Sequence, residues 1–313
     1  MKGLELSRRY YEKCGLPMIK EQFPELLDKL AIGLTGSGSE CYGYDDEISQ
    51  DHDFEPGFCV FLPGIDVVDE KTEFDLMRAY NKLPSEFEGY HKSILNPVGG
   101  NRHGIFRTKE YYLEKAGTDD GLLTAQQWLM TPDYVLAEAV NGEIFYDGYG
   151  LVTEIRNNLK AIPEDILKKR IAGNLVIMAQ SGQYNYSRCL KRGDNGAAQM
   201  ALHEFVNAAI KCAFLLNDRF APYYKWSFRG LRELERLSVM AEILEYLINN
   251  GNSEAEAAAK SDMIYTVAEL FNDEIIRKGY VTARNNDLEK LAYFVNNTIK
   301  DNDIRNLDIM IAV

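Results

Sequence analysis

The feature that most constrains this chain is a change in its apolar period near residue 150. Before that point, short apolar runs stop at glycine or proline and alternate with stretches of helical spacing. "LAIGLTG" ends at Gly36, "FCVFLPG" (58–64) at Pro63 and Gly64, "IFRT" follows the break "NPVGGNRHG", and "EIFYD" follows Gly142. Each has the length of a buried strand. Between them, residues 4–13 and 18–30, separated by "GLP", and residues 73–83 read as helices, as do "KEYYLEKAG", closed by Gly117, and "DYVLAEAV". After residue 150 only the helical period remains. Ile166, Leu167, Ile171, Leu175 and Met178 share one face after the start at Pro163, and "NGAAQMALHEFVNAAIKCAFLLN" repeats the pattern with small residues that allow close packing. The reading is an α+β chain, with a small mixed sheet domain over 1–150 followed by an all-helical bundle over 151–313.

Composition narrows the function. With 313 residues and a formal net charge of −13, the chain is long enough for two cores and poorly suited to a long phosphate track, which requires clustered Lys and Arg. Extensive nucleic-acid binding is not expected, although a local tRNA contact stays open. Five scattered cysteines form no C-x-x-C pair, and no run approaches the roughly 18 apolar residues of a membrane span. Reduced thiols in a cytoplasmic protein away from membranes are expected.

The stretch "GLTGSGSECYGYDDEISQDHDF" (33–54) is poor core material, with four glycines, three serines before residue 50 and a high density of acids. Gly36-Ser37 after a strand can expose backbone N–H groups that hold phosphate oxygens. Asp51 and Asp53, flanking one residue in an extended strand, point to one face. Two carboxylates so close repel unless a cation sits between them, and Mg²⁺ suits their oxygens. His52 is expected on the other face.

The order of apolar strand, Gly36-Ser37, thirteen residues and Asp51-His52-Asp53-Phe54 resembles the signature of the nucleotidyltransferase superfamily that includes DNA polymerase beta. The fuller string, with "RGD", "FLLN" and "PYYKW" downstream, is similar to a bacterial branch of that superfamily catalogued as a domain of unknown function, over residues from about 25 to about 235. The resemblance implies Mg²⁺-dependent transfer of a nucleoside monophosphate from an NTP, ATP being the expected one. The acceptor hydroxyl belongs to a small molecule such as an antibiotic, a protein or a tRNA, and pyrophosphate is released. Gly36 and Ser37 would hold phosphates, and Asp51 and Asp53 the metal. Ser39, Glu40, Asp45, Asp46 and Ser49 match the branch pattern. Asp45 or Asp46 either orients the acceptor or caps a turn.

A third carboxylate, usual in the superfamily, is missing from "HGIFRT". Glu110, Glu143 and Asp147 are the substitutes, and Glu143 is the expected one. Without a third acid, the alternative is a catalytically inactive nucleotide-binding or antitoxin-like regulatory protein. In the helical half, Arg192 or Lys191 is read as a triphosphate contact or as part of a solvated connection, with Asp194 capping the next helix. Tyr223 is read as a base-stacking ring and Lys225 as a phosphate contact, set against a simple aromatic cluster. Small residues and exposed tyrosines there also suit a homodimer interface.

Overall fold

The computed structural model describes residues 1–49, 54–92 and 102–313. It is α+β, as the sequence pattern requires. Six strands are present among the described residues: β1 (Ala31–Leu34), β2 (Cys59–Leu62), β3 (Glu86–Phe87), β4 (Tyr90–His91), β5 (Gly104–Arg107) and β6 (Glu143–Asp147). The helices of the first half are α1 (Gly3–Tyr10), α2 (Leu16–Gln22), α3 (Glu70–Asn81), α4 (Thr108–Ala116), α5 (Ala125–Met130), α6 (Asp133–Val140) and α7 (Leu151–Lys160). Those that follow are α8 (Glu164–Met178), α9 (Ser187–Lys191), α10 (Asn195–Leu216), α11 (Tyr224–Arg232), α12 (Met240–Asn249), α13 (Glu254–Arg277), α14 (Leu288–Asn297) and α15 (Asn302–Asn306).

The chain forms two compact units, Met1–Leu123 with Val135–Ala161, and Thr124–Tyr134 with Ile162–Val313. The sequence reading divides the chain once, after residue 150, whereas the structure assigns α7 to the first unit and residues 124–134 to the second. Side-chain packing explains both assignments. Val152, Ile155 and Leu159 bury one face of α7 next to β6, while Trp128 of α5 stacks on Phe220 with ring centroids 6.2 Å apart.

In the first unit a four-stranded sheet has the order β5-β2-β1-β6, parallel between β2 and β5 and antiparallel elsewhere. Alternation along the strands separates two layers. Ile32, Val60 and Leu62 join Tyr10, Tyr11, Phe58 and Leu76 in one core, while Phe61 and Phe106 meet Tyr111 at 5.1 and 5.4 Å. Arg107, 8% exposed at the end of β5, donates to the carbonyls of Pro63 and Val68 and pairs with Glu73 at 2.6 Å. "GLP" does not break the first helix as expected. A π-helical turn over Tyr11–Gly15 joins α1 to α2, and its wider bonding pattern accommodates Pro17, which has no N–H to donate. Helix stops at Gln22, and Leu26 and Leu30 are buried from turns rather than from a second helix.

In the second unit α8 packs between α10 and α14, and every residue from Ile166 to Val176 is buried. The core runs through Ile171, Leu175, Phe205, Phe214 and Phe271. Helical backbone continues from α8 through a π-helical stretch, Ala179–Tyr186, into α9. Asp194 caps α10 by accepting from the Ala197 N–H at 2.9 Å, as read from the sequence. No helix of the described residues is long and apolar enough to cross a membrane.

Candidate functional site

In the first unit the turn that follows β1 is locked from two later segments. Gly36 has φ +125°, a conformation that residues with a Cβ rarely adopt. Both of its backbone groups are bound by one side chain: the Gly36 N–H donates to Asn141 Oδ1 at 2.9 Å, and Asn141 Nδ2 donates to the Gly36 carbonyl at 2.7 Å. The Thr35 hydroxyl adds a bond to the same Oδ1 at 3.1 Å. Asn141 is itself held by Arg156 of α7, buried at 6% exposure, which donates to the carbonyls of Val140 and Asn141 at 2.7 Å and to Thr35 Oγ1 at 3.3 Å. Gly142, with φ +64°, donates its N–H to the Cys41 carbonyl and lies so close to Leu34 that a Cβ would overlap the Leu34 carbonyl oxygen.

The lock changes what the turn can offer. The Gly36 N–H, expected to meet phosphate, is taken by Asn141. Ser37 is exposed, and its hydroxyl and N–H have no partner among the described residues, nor has the Ser39 N–H, whereas the N–H of buried Gly38 is directed at the Cys41 sulfur. The Ser37 and Ser39 donors precede a short 3₁₀ turn at Glu40–Tyr42, whose Glu40 carboxylate lies against Gly38.

Asp51 and Asp53, the expected metal ligands, lie outside the described residues, as does His52. Among the described residues no group of three His, Cys, Asp or Glu is arranged to hold a metal ion. Asp45 and Asp46 serve as caps. Asp45, 1% exposed, accepts the Gly3 N–H at 2.8 Å at the start of α1, and Asp46 accepts from the Ile48 and Ser49 N–H groups at 3.0 Å. Asp147 accepts from Gly150 and Thr153 at 2.8 Å and so opens α7, and Glu110 is exposed in the first turn of α4. Glu143 forms an ion pair with Arg8, whose guanidinium also covers the Phe145 ring at 4.6 Å. Its carboxylate is thus tied to α1 rather than to the Asn141 lock.

Two other carboxylates stand near the turn. Glu40, 9% exposed, lies against Gly38 and faces Arg102 at 3.9 Å. Glu138, half-buried on α6 three residues before Asn141, has its pKa raised by burial, with Lys115 and Arg102 pulling the other way. Sequence reasoning passed over Glu138, Asn141 and Arg156. An Asn-Gly pair at a helix end signals a turn, but not that the Asn side chain reaches Gly36 across 105 residues.

The second unit holds a cavity of about 490 Å³. One wall is the segment Met130–Tyr134, another the α10 face carrying Glu204, Asn207 and Lys211, and a third Pro222–Tyr224. At its base Arg170, 4% exposed, pairs with Asp133 at 2.8 Å and donates to the Trp128 and Thr131 carbonyls. Burial raises the Asp133 pKa, and the charges of Arg170 and Lys211 oppose that rise. Tyr223 lines this cavity as part of an aromatic chain, 5.7 Å from Tyr134 and 4.5 Å from Tyr224 between centroids. Lys225 does not line it; its ammonium stands over Trp226 at 5.2 Å. Arg192, exposed at the end of α9, lies outside the lining too.

Residues 128–227 match a family described as Domain of unknown function (DUF4037). That span contains every lining residue of the cavity except Ala312 and Val313. No curated protein matches the chain.

Proposed function

We propose that the first unit is a nucleotidyltransferase of the DNA polymerase beta type, moving a nucleoside monophosphate from an NTP, ATP in the first instance, to an acceptor hydroxyl in the cytoplasm. The observation that carries this reading is the turn after β1. A buried strand leads into a positive-φ glycine clamped on both backbone groups, and the next residue, Ser37, is exposed with its hydroxyl and N–H unpaired among the described residues. Such rigid donors bind an anion without first having to be ordered.

In this reading the Ser37 hydroxyl and the N–H groups of Ser37 and Ser39 meet the phosphates, and Gly36 supplies the bend rather than a donor. Asp51 and Asp53 provide hard carboxylate oxygens, a donor set that fits Mg²⁺, and the ion when bound would offset phosphate charge. Glu138 takes the place expected of Glu143 as the group that receives the acceptor proton. A carboxylate lifted by burial is better matched to that task than one held by Arg8. The acceptor is a small molecule, protein or tRNA hydroxyl.

Calorimetric titration with ATP, GTP, CTP and UTP, with and without Mg²⁺, tests the reading. One nucleotide should bind in a metal-dependent way, and Asp51→Asn/Asp53→Asn should abolish that dependence. Equal binding by wild type and double variant would sink the proposal. Binding with no pyrophosphate release across an acceptor panel would favour the nucleotide-binding regulatory reading.

A further inference from the structure

The cavity of the second unit is independent of the first unit's chemistry, and its walls say what kind of molecule it takes. A volume of about 490 Å³ falls within the roughly 300–1,000 Å³ of small-molecule sites. Its mouth carries three tyrosines with 41, 42 and 72% exposure at Tyr134, Tyr223 and Tyr224. Rings of that size exposed together offer a face for another flat molecule.

Two ligand chemistries compete for such a wall. A cage for an ammonium ion needs rings spaced around an open centre, each within about 6 Å of the cation. Here the rings pack in sequence on one another, at 5.7 Å and 72° and at 4.5 Å and 51°, rather than standing around a shared centre. A flat ring laid against the chain suits this arrangement better.

Charge supplies the other half. Arg170 and Asp133 neutralise each other at the base. Lys211, half-buried on α10, makes no hydrogen bond or close ion pair among the described residues; the acid that feels its charge, Asp133, is already bonded to Arg170, so the Lys211 ammonium keeps donors for an anion in the cavity. Glu204, also without a partner among the described residues, lies two helical turns away, roughly 10 Å along the axis. That separation lets an anion reach Lys211 while Glu204 accepts from a donor at the far end of the ligand.

We propose that this cavity is a binding site for a small aromatic anion, its ring face to face with one of Tyr134, Tyr223 and Tyr224 and edge-on or tilted to the others, and its phosphate or carboxylate on Lys211. The inference does not depend on the reading of the first unit.

The test is calorimetric titration of the full chain with two aromatic anions, AMP and indole-3-acetate. Their partial counterparts serve as controls: adenosine, indole, inorganic phosphate and cyclohexanecarboxylate. At least one aromatic anion should bind saturably, at least tenfold tighter than each of its counterparts; which one binds separates a phosphate from a carboxylate ligand. Lys211→Gln should weaken that binding about tenfold or more, Lys211→Arg should restore most of it, and Tyr224→Ala, at the most exposed ring, should weaken it with the fold intact. Asp51→Asn/Asp53→Asn should leave it unchanged, which separates this cavity from any nucleotide site in the first unit. The proposal is overturned if no aromatic anion saturates by millimolar concentration. It is equally overturned if binding survives Lys211→Gln at full strength, or if the Asp51/Asp53 variant abolishes it.

Discussion

The turn at Gly36 and the cavity on α10 are both polar sites built on buried supports, and they use opposite materials. In the first unit the support is backbone. Glycine conformations at 36 and 142 set the path, and the Asn141 amide and Arg156 guanidinium bind main-chain atoms. In the second unit the support is buried charge. Lys168, Lys169 and Arg170 follow one another on α8 at 4, 0 and 4% exposure, and Lys169 donates to Asn296 at 3.0 Å and to the Leu307 carbonyl at 2.7 Å. Short loops between strands leave carbonyls and N–H groups to be collected by side chains. A helix satisfies its own backbone, so long cationic side chains are free to reach the exposed ends of neighbouring segments.

The contrast can be broken most severely at Arg170. Replacing it by Met leaves the Asp133 carboxylate buried without its partner and two carbonyls without a donor, so a loss of about 4 kcal/mol is expected in denaturant unfolding. A loss below about 1 kcal/mol would show that water replaces the guanidinium and that buried charge is not the support. In the first unit Gly142→Ala forces a side chain against the Leu34 carbonyl at positive φ, with an expected cost of about 3 kcal/mol. Hydrogen exchange should quicken in β1 and β6 while α8 and α10 keep their protection. Asn141→Ala removes both bonds to Gly36 and should cost about 2 kcal/mol, with an additional loss of nucleotide affinity if Ser37 is positioned through this clamp.

The smallest effect concerns a device both units share. Asp69 accepts the Thr72 N–H at the start of α3, and Glu256 closes a capping box with Ser253 at the start of α13. The Thr72 N–H holds the Asp69 carboxyl below its usual pKa, and the Ser253 hydroxyl does the same for Glu256. A depressed carboxylate stabilises the fold above its unfolded pKa, near 4, and that contribution is lost as pH falls through the lower folded value. Melting temperature measured from pH 6 downwards should therefore drop, and Glu256→Gln should flatten only the α13 share of that drop. An unchanged slope in the variant would remove Glu256 from the account.

The strands were largely legible: "EIFYD" is β6 residue for residue, and "IFRT" overlaps β5. The apolar face of α8 was legible too, since Ile166, Leu167, Ile171, Leu175 and Met178 are all buried. Its adjacent cations were not. A run such as Glu-Asp-Ile-Leu-Lys-Lys-Arg reads as solvated on one side, and only packing against α14 and α5 encloses it. Pro17 misled the reading of the first helix, because a π-helical turn tolerates what a regular α-helix does not.

By itself the sequence determined the α+β class, the four strands of the main sheet and the turn at Gly36-Ser37, because period, glycine and proline act through a few neighbouring residues, whereas β3, β4 and α5 carried no such signal. Tertiary structure alone decided that Asn141 clamps Gly36, that Arg8 occupies Glu143, that Glu138 stands near the turn, and that Lys211 and Tyr223 share a cavity. Those partners lie too far apart in the chain for any local pattern to pair them. The free energy that joins them comes from enclosing polar groups in a core that exists only once the chain has folded.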